Sequence, residues 1–115
     1  MKKEVDFRTA DGKDFKLSLN IRDLRQIERE IDCSLYALMT EITQGVLRHM
    51  NIDFAITILR HAMPYNTSEK DVEEIIEQHY LSGGTLDEIN QVIISVLLAS
   101  GAFTPGKVEE AAEKK

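Results

Sequence analysis

Up to Leu19 the apolar residues of this chain fall on every second position; from Asn20 onward they recur every three or four. A period of two belongs to a strand with one buried face, and a period near 3.6 to a helix. In the first stretch Val5, Phe7 and Thr9 alternate with Asp6 and Arg8, and Phe15, Leu17 and Leu19 alternate with Lys16 and Ser18. Asp11-Gly12 between them marks a turn. A two-residue Asp11-Gly12 loop would set Phe7 against Lys16 and Phe15 against Arg8. A three-residue Ala10-Asp11-Gly12 loop pairs Phe7 with Phe15 and Val5 with Leu17. The second register keeps one face apolar and gives Gly12 the left-handed position, so it is the one predicted. A hairpin alone is barely stable in water, so its apolar face must lie on helices.

Five helices are predicted after it. Asn20 caps the first, with Leu24, Ile27 and Ile31 inward. Asp32-Cys33-Ser34 interrupts the pattern, and Ser34 caps a second short helix with Leu35, Leu38, Met39 and Ile42 inward, stopped by Gly45. Asn51 opens a third, with Phe54, Ala55, Ile58, Leu59 and Ala62 on one stripe, ended by Pro64. Thr67 or Ser68 opens a fourth, with Val72, Ile75, Ile76, His79 and Tyr80 along it, closed by Gly83-Gly84. Thr85 and Glu88 form a capping box for a fifth that Gly101 ends. The predicted fold is therefore α+β and mostly helical, an N-terminal β-hairpin packed on a bundle of about five helices. Residues 1–103 form one globular domain, with the hairpin over 4–19 and helices over 20–101; residues 104–115 form a flexible charged tail. Helices one, three, four and five are expected to supply the core through Leu24, Ile27, Phe54, Ile58, Ile75, Val92 and Val96.

The fifth helix is apolar around most of its circumference, through Leu86, Ile89, Val92, Ile93, Ile94, Val96, Leu97 and Leu98. Such a helix is either central or partner-facing. With Val92, Ile93, Val96 and Leu97 supplying a core stripe, Ile94 and Leu98 become candidate partner contacts. Glu73, Glu74 and Glu77 lie nearby in sequence as a charged rim. Residues 68–103 are thus expected to contribute most of the partner surface.

The 115 residues suit one domain. The longest apolar run, Val92 to Ala99, is far short of the ~20 residues of a membrane-spanning helix, and no signal segment follows Met1-Lys2-Lys3. The single Cys33 rules out an internal disulfide and suits a reducing cytoplasm. A formal charge of −6 argues against nucleic acid as the main ligand. That charge is concentrated late: residues 68–115 carry ten Asp/Glu against four Lys/Arg.

Catalytic signatures were sought without success. There is neither a GxGxxG nor a GxxxxGK[ST] loop. Cys33 reads as a small buried thiol, and His49, His61, His79, Asp53, Glu73, Glu74 and Glu77 lack zinc or carboxylate-bridged spacing. No catalytic, cofactor or metal residue is assigned, and Cys33 and the three histidines are each expected to be dispensable for function. Arg22, Arg25 and Arg29 form a basic stripe on the first helix; interleaved Asp23, Glu28 and Glu30 predict a salt-bridged surface rather than a phosphate site. Tyr36, Tyr65 and Phe103 are too scattered in sequence to define a docking site.

Taken in order, the pieces resemble the small tail assembly chaperones of long-tailed bacteriophages and related prophages. The resemblance covers about residues 13–103. Its carriers are Phe15-Lys16-Leu17-Ser18-Leu19, then Leu24-x-x-Ile27-Glu28-x-x-Ile31, then Ser34-Leu35. The most specific piece is Tyr80-Leu81-Ser82-Gly83-Gly84-Thr85-Leu86, followed by the aliphatic helix and Ser100-Gly101-Ala102-Phe103. Ala102 departs from the family's usual second bulky residue. The resemblance implies a non-catalytic protein that binds the tape measure protein and helps recruit major tail protein subunits. It implies a place in the host cytoplasm and absence from the mature virion, and it leaves room for a homo-oligomer and a frameshifted longer form. A head–tail connector or tail component retained in the virion, or a host-directed regulatory binding protein, are the alternatives.

Overall fold

The computed structural model describes residues 4–64 and 67–102. Its elements are β1 (Val5–Arg8), β2 (Asp14–Leu17), α1 (Ile21–Ile31), α2 (Leu35–Thr43), α3 (Ile52–Ala62), α4 (Glu69–Leu81) and α5 (Leu86–Ala99). The strands pair antiparallel with Phe7 opposite Phe15 and Val5 opposite Leu17, the register of the three-residue loop. Gly12 takes φ +90° in that loop, a region costly for any residue with a Cβ. Phe7 and Leu17 are buried, while Asp6 and Lys16 face outward as an ion pair.

Every helix begins at a side-chain cap. Asn20, Ser34, Asn51, Ser68 and Thr85 each accept a backbone N–H of the first turn. Asp23, Asp71 and Glu88 return the bond to the cap residue's own N–H, satisfying two orphan donors at once. Asp32 turns the chain out of α1 at φ 52°. Here Glu28 reaches forward and accepts the Leu35 N–H at 2.8 Å, tying α1 to the start of α2.

The core centres on α3, which packs against α1, α4 and α5, while α5 also lies against β1. Six residues of α3 are buried: Phe54, Ala55, Ile56, Ile58, Leu59 and Ala62. The Ser18 N–H bonds to the Ala62 carbonyl at 3.1 Å and fastens the hairpin's exit to the end of α3. Leu24, Ile27, Phe54, Ile58 and Val96 are buried as predicted. Ile75 and Val92 are only half-buried, because α4 turns Val72 and Ile76 inward and α5 turns Ile89, Ile93, Val96 and Leu97. The second helix joins the core through Leu35, Leu38 and Met39, three of the four residues expected inward, and Ile42 is half-buried.

His79 is the one strongly polar side chain in this interior among the described residues, 2% exposed. Its Nδ1 accepts the Ala10 N–H of the hairpin loop at 2.9 Å, which places the neutral ring's proton on Nε2. Nε2 lies 3.3 Å from Glu88 Oε1 of α5, outside hydrogen-bonding geometry. The ring also meets Phe7 edge-on. One residue of α4 thus touches the hairpin and the start of α5. No helix among the described residues is long and apolar enough to cross a membrane. The tail 104–115, Phe103 and Tyr65 lie outside the described residues.

Candidate functional site

A shallow, open concavity of ≈ 260 Å³ lies between α3 and α4, a groove lined by Ile52, Ile56, Glu73, Ile76, Glu77 and Tyr80. Its floor comes from two different sequence patterns. On α3 the stripe Phe54, Ala55, Ile58, Leu59 and Ala62 faces the interior, and Ile52 and Ile56 form a second ridge one turn apart beside it. Ile56 is buried, but Ile52, in the first turn, stays 47% exposed. On α4 Ile76 is buried and Tyr80, one turn later, is 37% exposed. Glu73 and Glu77 stand one turn apart on the groove's edge, both exposed. Neither makes an ion pair with any described residue. The result is an apolar channel with a wet acidic margin, suited to a helix that brings its own apolar ridge.

Of the residues singled out from sequence, Glu73 and Glu77 line the groove. Glu74 is exposed but does not line it. Ile94 and Leu98 also lie elsewhere: both are half-buried and packed against the core. None of α5's large aliphatic side chains is fully exposed, so its uniform apolar character goes into packing against α3 and β1. Ile52 and Ile56 escaped sequence reasoning, and Ile76 and Tyr80 were read only as part of the α4 stripe. The signal was there, in two isoleucines spaced by four outside the α3 stripe.

The histidines are dispersed. His49 is 3.7 Å from Glu41 in the α2–α3 connection, His61 of α3 bonds Glu30 of α1, and His79 bonds Ala10. No group of three His, Cys, Asp or Glu that could hold a metal occurs among the described residues. Glu30 also receives Arg60, so two side chains of α3 converge on one carboxylate of α1. Partial burial pushes the Glu30 carboxyl up, but the hydrogen bonds from His61 and Arg60 and their charge outweigh it and hold it below its ordinary range.

The basic stripe differs from expectation. Arg22, Arg25 and Arg29 are exposed and form no ion pair with the described residues. Their neighbours are engaged elsewhere: Asp23 in the Asn20 capping box, Glu28 at the Leu35 N–H, Glu30 with α3. Local backbone donors and a packed neighbouring helix hold these carboxylates better than a flexible surface arginine does.

No family model, curated protein or solved structure matches this chain.

Proposed function

We propose that this chain is a non-catalytic tail assembly chaperone that binds the tape measure protein of a long-tailed phage and helps recruit tail tube subunits. The observation that carries this reading is the groove between α3 and α4: Ile52, Ile56, Ile76 and Tyr80 beneath Glu73 and Glu77. A tape measure protein is long and helical, with apolar stripes that need cover until the tube closes around them. An open apolar groove offers such a stripe some cover, and its acidic margin limits collapse of one groove onto another. Ordered resemblance over most of the described chain supports the same reading. The chaperone acts in the host cytoplasm and leaves before the tail is complete. The test pairs two measurements: capture of tape measure fragments by the purified chain, and a mass-spectrometric inventory of finished particles. Capture together with absence from particles supports the chaperone. A stoichiometric place in the particle would instead make the chain a structural tail component.

A further inference from the structure

Two opposite sets of exposed charges lie on separate helices without an ion pair to any described residue. On α1 these are Arg22, Arg25 and Arg29; on α4 they are Glu69, Glu73 and Glu77. The acidic set is spaced by four, so like charges sit one turn apart and repel each other. Each helix also carries a large exposed apolar side chain on the same ridge. Ile21 precedes Arg25 and Arg29 at steps of four and is 71% exposed; Leu81 follows Glu73 and Glu77 at steps of four and is 74% exposed. Both ridges advance by about 6 Å per step, four residues at 1.5 Å each.

From this complementarity we infer that α1 of one copy docks antiparallel on α4 of a second copy. In that register Arg29 meets Glu73, Arg25 meets Glu77 and Ile21 covers Leu81. Three neighbours on one ridge match three on the other with no offset. Pairing the charges removes the repulsion along α4, and contact of the two apolar side chains takes both out of water. The two surfaces differ, so the contact is heterologous and joins copies head to tail. It is small and rich in exposed charge, hence weak and sensitive to salt. The inference does not rest on the tape measure reading, but it has a consequence for it: Glu73 and Glu77 also edge the groove, so a second copy and a client helix compete for them.

The experiment is sedimentation equilibrium of the full chain at concentrations on the order of 100 µM, where contacts of this small class associate. Wild type is expected to self-associate at low salt and to lose most of that association by about 0.5 M NaCl, where the Debye length is only a few ångströms. The pairs Arg25→Glu/Arg29→Glu and Glu73→Lys/Glu77→Lys should each weaken association at least about tenfold, because like charges then face each other. All four substitutions together restore the wild-type net charge of −6 and should restore association. Circular dichroism checks that each variant keeps its helices. A wild-type monomer, a mass insensitive to salt, or a four-fold variant no more associated than the pairs would overturn the inference.

Discussion

Gly84 lies directly against the imidazole of His79: a Cβ on Gly84 would stand 2.2 Å from Nε2 and 2.3 Å from Cε1 of that ring. The same two residues are joined through the backbone, the Gly84 N–H donating to the His79 carbonyl at 2.8 Å. The end of α4 and the turn into α5 are therefore built around one buried side chain that also holds the hairpin loop. Gly84→Ala must displace a ring fixed on its far side by the Ala10 N–H. It is expected to cost about 1–3 kcal/mol in urea unfolding, the usual range for overpacking. In Gly84→Ala combined with His79→Ala the clash is gone, so the two changes should cost clearly less than their sum.

His79→Ala alone leaves the Ala10 N–H without its partner. Amide exchange should then show Ala10 losing protection by at least about tenfold, the equivalent of about 1.4 kcal/mol, while the centre of α3 changes less. Uniform loss along the whole chain would mean that His79 serves the core in general and not the hairpin in particular.

Ile94 and Leu98 are half-buried and packed against the core. Replacing both with Ser removes two partly buried aliphatic groups and should destabilise the fold by about 2 kcal/mol or more. Thermal unfolding within a few tenths of a kcal/mol of wild type would return them to the surface.

Glu30 predicts a response to acid. Its folded carboxyl lies below its ordinary value of 4.5, held there by His61 and Arg60 against the opposing effect of burial. The folded state therefore binds that proton less readily than the unfolded state. The contribution is fully present above pH 4.5 and is lost as pH falls below it. Glu88 moves the same way through the Thr85 N–H and hydroxyl, and Asp71 through Ser68, so two capping boxes weaken in the same acidic range. The melting temperature should fall between pH 5 and 3, and Glu30→Gln should fall less steeply than wild type; parallel curves would remove Glu30 from the account.

The hairpin, its register and the caps of four helices were legible because each depends on residues within four positions or on one alternating pattern; for α4 the reading left Thr67 or Ser68, and Ser68 is the cap. Asn20, Ser34, Asn51 and Thr85 act where local chemistry places them. The groove was half legible. Glu73 and Glu77 stood out as charges, but Ile52 and Ile56 come from another helix, and the packing angle of α3 on α4 is not written in either segment. The fifth helix was legible in part for a related reason: an apolar circumference shows that a helix is covered, not by what. His79 was legible as part of the α4 stripe, but its partner was not, since the Ala10 N–H is a backbone group sixty-nine positions away and leaves no mark in composition.

The central claim is that the groove between α3 and α4 receives a tape measure helix. Calorimetric titration of tape measure fragments into wild type and into Ile52→Ser/Tyr80→Ser tests it most directly. Both positions are exposed enough to change with little effect on the fold, which thermal unfolding verifies. The prediction is saturable binding to wild type, at least about tenfold weaker in the double variant, with the melting temperature nearly unchanged. Equal affinity for the two proteins would place the client elsewhere on the molecule and contradict the account.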